Sequence, residues 1–442
     1  MKNQKIYREL QKHLNSMPVG FPASKKSGSD IKLLSHIFTP EEAQVACYLS
    51  YKPEPLEIIV ERIKGSYYKK REIIPKDSIS PNLLPTIASP KVLEKILDRI
   101  QKKGGIESKI KDGVRYYCNA PLVVGIYEMQ VNRLTPQFLE HFNEYSSNLN
   151  FGLQFLSLKK PQMRTIPIQK SIIPMNHVSH FDEVITLFEN AIPPFVVIDC
   201  ICRKKKVLEG ETCKITDRQE TCIAVGNVAI TALLMEIGRE ISRDEAISII
   251  EKNQQDGLVL QPSNTEKLEF ICSCCGCCCG MLSIHQKLPI PIDFWSSNFY
   301  AAVDINRCNG CGVCKKRCQV GAIKIITNSS PLEKPLIELG KETQKSKKEF
   351  FFKAVVDLHS CIGCGLCVTK CSSRAITLIK KEDATKPPLN REELYDIIMA
   401  DRAGFFGLQD GRLQATLGKL KVVGKILKGI VKTGNTTLVK KL

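Results

Sequence analysis

The 442-residue chain has no run of about 18 uncharged apolar residues, so no membrane span is expected. Its opening stretch, MKNQKIYREL, lacks the apolar segment of a secretory signal, and a cytoplasmic protein is expected. Peripheral membrane contact stays open. There is no G-x-x-x-x-G-K-[ST] phosphate loop and no strand-led G-x-G-x-x-G, so the sequence shows no ATP, nicotinamide or flavin site. The seven histidines are scattered. His177 and His180 stand three apart but are not read as a metal pair, and His359 is read as a surface or supporting residue rather than a ligand.

What is present points elsewhere. The length exceeds what one core supports, so two to four domains are expected. Apolar residues make up 43%, enough for packed cores. The net charge of +18 favours anionic partners: acidic proteins, nucleic acid or a lipid surface. Twenty cysteines decide the class, because fourteen fall in three tight groups, 272–279, 308–318 and 361–371. A secreted disulfide scaffold would be short, and its cysteines would not bunch this way. Thiolates at this density in a reducing compartment are normally metal ligands.

The strongest signal is an internal repeat. Asp304-Ile-Asn-Arg-Cys308-Asn-Gly-Cys311-Gly-Val-Cys314-Lys-Lys-Arg-Cys318 is followed by Ala322-Ile323. Asp357-Leu-His-Ser-Cys361-Ile-Gly-Cys364-Gly-Leu-Cys367-Val-Thr-Lys-Cys371 is followed by Ala375-Ile376. Matching positions, such as 308 and 361, are shifted by 53 residues throughout. Each unit reads C-x2-C-x2-C-x3-C, with Gly310, Gly312, Gly363 and Gly365 permitting close turns.

This unit resembles the bacterial-type two-cluster [4Fe–4S] ferredoxins, over residues 300–380. The resemblance implies that each fourth cysteine serves the other cluster. One cluster would take Cys308, Cys311, Cys314 and Cys371, and the other Cys361, Cys364, Cys367 and Cys318. The proline usual after the fourth cysteine is replaced by Gln319 and Ser372, which loosens the turn and removes no ligand. A lysine-rich insertion over 328–350 separates the halves and reads as a surface loop. Zinc also suits four cysteines, but this spacing is unusual for a zinc knuckle.

The region 180–300 carries ten more cysteines. Cys200, Cys202, Cys213 and Cys222 follow the strand-like run Pro194–Ile198. Then Cys272, Cys274, Cys275, Cys277, Cys278 and Cys279 crowd into eight residues, an oxidation liability without a metal to share. In an extended segment Cys272 and Cys274 face one way, and Cys275, Cys277 and Cys279 the other. One or two further iron–sulfur clusters are expected, with zinc and metal-free thiol chemistry as alternatives. Cys200, Cys213 and Cys222 are expected to join part of the later strip. Between the groups an apolar helix is expected over Ile223–Ile237. A second, capped by Ser242 with Glu245, should be ended by Gly257. Arg203, Lys204, Lys205 and Lys206 either offset cluster charge or form a solvated basic loop.

The first third reads helix, helix, helix, two-stranded wing. Thr39, Pro40 and Glu42 open one helix; Leu56–Ile63 and Val92–Gln101 suit two more. Asp112-Gly113 turns a hairpin between Ile106–Ile110 and Val114–Cys118. Residues 64–90 read as an irregular insertion. The order resembles winged-helix domains, which bind DNA or dock proteins. Glu94 and Asp98 on the third helix make specific DNA binding the weaker expectation. Cys47 and Cys118 read as buried small apolar residues. From Gly411 onward eight basic residues and no acid accompany Leu413, Leu417, Leu420, Val423, Leu427 and Ile430 at helical steps. Such a tail fits a partner groove or an anionic membrane.

The sequence therefore predicts an α+β multi-domain protein. Its parts are a winged-helix-like domain (1–125), a connecting segment (126–190), a cysteine-rich, mostly helical domain (191–298), a two-cluster ferredoxin domain (299–382) and a basic amphipathic tail (383–442). The expected function is single-electron relay between redox partners, such as a flavoprotein or another oxidoreductase subunit. An oxidoreductase subunit whose middle cluster meets substrate, and a redox-sensing regulator, are the alternatives.

Overall fold

In the computed structural model, residues 2–24, 26–73, 87–156, 158, 160–172, 178–288, 290–327 and 352–406 are described. Helices and four small sheets alternate among them, an α+β architecture.

Thr39 starts the helix Pro40–Ala46 as expected. Its hydroxyl accepts from the Glu42 N–H at 3.3 Å, and its own N–H donates to the Glu42 carboxylate at 2.8 Å. Helices Lys2–Asn15, Ser29–Ile37, Leu56–Ile73 and Pro90–Lys102 join it around a core that includes Leu10, Leu33, Ile59 and Leu97. On the last of these, Leu93, Ile96, Leu97 and Ile100 form the buried stripe. The helix starting at Leu56 runs on to Ile73, which corrects the irregular reading of 64–73; residues 74–86 lie outside the described residues. Strands β1 (Glu54–Pro55), β2 (Ile106–Lys111) and β3 (Val114–Asn119) form a sheet of order β1-β3-β2. Asp112 and Gly113, both at positive φ, make the two-residue hairpin turn.

The middle region is not mostly helical. It holds a five-stranded antiparallel sheet, order β6-β4-β5-β8-β7. The strands are β4 (Phe195–Asp199), β5 (Glu220–Val225), β6 (Gly238–Ile241), β7 (Val259–Pro262) and β8 (Phe270–Cys274). The apolar run Ile223–Ile237, expected as one helix, is strand β5, then a turn at Gly226 (φ 58°), then a helix Asn227–Leu234. The misreading has a physical cause. Val196 and Ala224 pack into the N-terminal core, while Phe195, Val197, Ile223 and Val225 pack into a second core. A strand buried on both faces shows no alternation and looks like a buried helix. The next helix runs Arg243–Asp256, with the Ser242 hydroxyl accepting from the Glu245 N–H and Gly257 ending it at φ 96°.

Beyond this sheet, β9 (Phe299–Val303) pairs with β12 (Ile376–Lys380), and β10 (Ile323–Thr327) with β11 (Phe352–Val356). The strand before each cysteine run thus pairs with the strand after the other. Residues 328–351, including the lysine-rich insertion, lie outside the described residues.

The segment after 383 is not simply a tail. The helix Arg391–Phe406 buries Leu394, Tyr395 and Ile398 in a cluster with Val19. Arg391 pairs with Glu107 and Glu269, and Arg402 donates to Asn15 O, so this helix is tied to the first helix, to β2 and to the segment before β8. The leucine-rich periodicity from Leu413 lies outside the described residues. Among the described residues no helix is long and apolar enough to cross a membrane.

Candidate iron–sulfur and metal centres

The two repeated cysteine runs make reciprocal contacts. Ala354 N–H donates to Cys308 Sγ and Ala301 N–H to Cys361 Sγ, each at 3.4 Å. Ala322 N–H donates to Cys318 Sγ at 3.2 Å and Ala375 N–H to Cys371 Sγ at 3.3 Å. Amide donors aimed at sulfur favour the thiolate form and tune a bound cluster. Cys308, Cys314, Cys361, Cys364 and Cys367 are buried, Cys318 and Cys371 half-buried, and Cys311 exposed. Burial, with Cys318 as a close negative neighbour, pushes the thiols of Cys361 and Cys367 up and that of Cys364 to about 12. The charge of Cys318 from the first run thus acts on three cysteines of the second. Cys314 is raised by burial beside Cys308 and Cys311. Burial also acts upward on Cys371, but the Ser373 hydroxyl and the N–H groups of Ala375 and Ile376 outweigh it and lower its thiol.

Two glycines are fixed by contact. A Cβ on Gly310 would lie 2.2 Å from Phe352 O, and one on Gly363 would lie 2.2 Å from Phe299 O. Both glycines have positive φ. The loops thus wrap against the strand leading into the other run. Four thiols in each set, amide donors at sulfur and bare glycine turns together suit a thiolate-bound iron–sulfur cluster.

The ten middle cysteines divide into two sets. Thiol contacts run from Cys200 to Cys202, Cys202 to Cys279, Cys279 to Cys274, Cys274 to Cys272, Cys272 to Cys222, and Cys222 back to Cys200. Six cysteines close a ring: Cys222 from β5, Cys272 and Cys274 from β8, Cys200 and Cys202 at the start of the helix Ile201–Leu208, and Cys279 at the start of the helix Gly280–His285. The other set is Cys213, Cys275, Cys277 and Cys278, with all four sulfurs within 4.8 Å of one another. Cys222 meets the later strip at Cys272, Cys200 reaches it through Cys202 and Cys222, and Cys213 joins a different part of it. The expected alternation fails at Cys279. Strand β8 stops at Cys274, and a turn closed by Cys279 N–H to Cys275 O brings Cys279 back beside Cys274.

Arg203 lies between the sets and is 1% exposed. Its guanidinium donates to Thr221 Oγ1 at 2.5 Å and Ser273 O at 3.1 Å, and reaches Cys275 Sγ at 3.9 Å. Hydrogen bonds from Cys202 and Cys222, against burial and with help from Arg203, hold Cys200 well below the usual thiol range. The basic run is therefore split: Arg203 faces thiols, whereas Lys204 pairs with Asp199 and Lys206 with Glu211. Sequence reasoning missed Tyr127 and Glu128, which neighbour the ring from an irregular segment with no periodicity to reveal them. Burial raises the Glu128 carboxyl to about 7. His359 is exposed, and His177 lies outside the described residues. Cys118 is buried and Cys47 packs against the N-terminal core.

No curated protein and no solved structure matches the chain. Residues 354–377, from β11 through the second cysteine run into β12, match the sequence model of the 4Fe-4S binding domain. That match, on the half of the repeat where Cys361, Cys364, Cys367 and Cys371 stand, places an iron–sulfur domain in this chain.

Proposed function

We propose that the protein relays single electrons between redox partners through two [4Fe–4S] clusters with crossed ligands and one further cluster in the six-cysteine ring. The observation that carries this reading is the exchange between the two runs: Ala301 and Ala354 each donate to the other run's first cysteine, and the charge of Cys318 acts on Cys361, Cys364 and Cys367. The crossed sets are Cys308, Cys311, Cys314 with Cys371, and Cys361, Cys364, Cys367 with Cys318. Bound clusters would supply one-electron acceptance and release. The chain's own part is to hold the thiolates, exclude water and set charge. Arg203 adds a fixed cation beside Cys200, and the charges of the ring are felt by Tyr127 and Glu128.

A protein partner, such as a flavoprotein, suits this reading better than DNA. On helix Pro90–Lys102, Asp98 is engaged with Arg115 at 2.6 Å, and Arg99 is spent on Glu41 at 2.6 Å. That leaves a poor surface for base readout in a winged-helix-like reading of this part.

The test uses full-length protein purified without oxygen. Iron and acid-labile sulfide should be present in near-equal amounts, at no fewer than about eight irons per chain. Reductive titration should take up electrons at visible absorption bands, and a reduced flavoprotein should reduce the protein. Zinc in place of iron and sulfide at the two runs would sink the reading.

A further inference from the structure

Cys213, Cys275, Cys277 and Cys278 differ in kind from every other cysteine group here. Cys213 Sγ stands 3.6 Å from Cys275 Sγ and 3.7 Å from Cys277 Sγ, and Cys277 Sγ stands 3.6 Å from Cys278 Sγ. Four thiolates on one tetrahedral ion with metal–sulfur bonds of about 2.3 Å have sulfur–sulfur edges of about 3.8 Å, from the tetrahedral angle alone. Thiolates bound to four separate irons of a cubane are spread wider. The six-cysteine ring shows the contrast. Among the described residues no set of three or more potential ligands within it has all its ligand atoms within 4.8 Å of one another.

We propose that these four cysteines bind a single thiophilic divalent ion, zinc or ferrous iron, without sulfide. The site is separate from the iron–sulfur clusters. The surroundings fit such a charge. Four thiolates around a divalent ion carry a net −2, and Arg203 Nη2 lies 3.9 Å from Cys275 Sγ while also reaching Cys213. Ile215 and Thr216 offer backbone N–H groups to Cys213. Leu258 and Ile215 close one side with apolar surface. Local sequence explains the geometry: three ligands come from the turn after β8, where Gly276 N–H donates to Gln319 Oε1 at 2.9 Å. The fourth comes from the segment between helix Ile201–Leu208 and β5, which has no helix or strand of its own. The ion would clasp that segment onto the turn and so brace the ring, which shares β5, β8 and this turn.

The proposal rests on the chain being a thiolate metalloprotein, but not on any cubane. Full-length protein is purified anaerobically as wild type and as the double variant Cys213→Ser/Cys277→Ser, and iron, zinc and acid-labile sulfide are measured. The expected result is the loss of one metal ion per chain with sulfide unchanged. Whether that ion is zinc or iron is read directly from the same analysis. Loss of iron and sulfide together would show a cluster at these residues, and no loss of metal would show bare thiols; either overturns the proposal. Should the variant fail to fold, zinc-edge X-ray absorption and iron Mössbauer spectra of the wild type replace it. One ion with four sulfur neighbours and no metal neighbour supports the site, and its absence from both spectra refutes it. Failure of the electron-relay reading would show instead as missing sulfide at the 308–371 cysteines, with this single ion still bound.

Discussion

The backbone N–H of Ala301, in the strand before the first cysteine run, donates to the sulfur of Cys361 in the second run. Its counterpart Ala354 does the same for Cys308 at the same 3.4 Å. Neither half of the repeat can therefore set its own sulfur environment alone. Each strand supplies the other run with an amide dipole, which stabilises thiolate charge and favours the reduced, more negative state of a bound cluster.

The same exchange makes two glycines intolerant. Gly363→Ala sets a methyl against Phe299 O at a φ of 63°, and Gly310→Ala sets one against Phe352 O at 72°. A non-glycine residue in this backbone region costs about 1–2 kcal/mol before any clash. A contact of 2.2 Å with backbone oxygen cannot be relieved by turning a side chain. Each variant should lower the melting temperature and lose iron. Gly321→Ala, at φ 70° but with open space, should show only the conformational cost. Equal melting and iron content for Gly363→Ala and Gly321→Ala would refute the contact argument.

Crossed ligation is separable from uncrossed ligation by pairing variants. Under the crossed assignment Cys318→Ser/Cys364→Ser damages one cluster, whereas Cys318→Ser/Cys311→Ser damages both. The spin signal of the reduced protein, integrated per chain, should lose one cluster's share in the first and two clusters' share in the second, with the ring's contribution unchanged in both. The reverse ordering would mean that each run binds its own cluster.

The two cysteine runs were legible from sequence because their chemistry is local: spacing, glycine positions and the shift from 308 to 361 need no long-range contact. The capped helices at Thr39 and Ser242 and the Asp112-Gly113 turn were legible for the same reason. The middle sheet was not. Strands β4 and β5 lie between two cores, so burial on both faces erased their period. The partition of the ten middle cysteines was hidden as well, since it depends on where β8 stops and on which way the following turn folds. Arg203 looked like the first member of a basic run. Only the packed structure separates it from the lysines beside it.

Arg391 should act as a structural tie. It reaches Glu107 in β2 and Glu269 before β8, and its side chain is only 14% exposed. Removing one member of a buried ion group strands the others, at a cost of about 3–5 kcal/mol. Arg391→Met leaves two carboxylates facing each other and should destabilise the protein by about 3 kcal/mol, since water still reaches the cluster. Adding Glu107→Gln should recover part of that loss. Chemical denaturation of the four combinations measures the coupling, and strictly additive effects would show that the groups do not act together.

Acid sensitivity should reside partly in His285. The ring is 1% exposed, packs edge-on to Trp295 with centroids 5.0 Å apart, and neither nitrogen has a hydrogen-bond partner among the described residues. Burial lowers its imidazole from 6.5 to about 4. The unfolded chain binds the proton as pH falls through about 6.5, while the folded chain resists until about 4. The contribution of the neutral ring is therefore complete above 6.5 and drains away between 6.5 and 4, by about 3 kcal/mol in all. His285→Phe keeps a flat apolar ring and removes the titration. Its melting temperature should fall less than that of the wild type between pH 7 and pH 5, with iron content held equal. Parallel declines in the two proteins would assign the acid sensitivity to other groups.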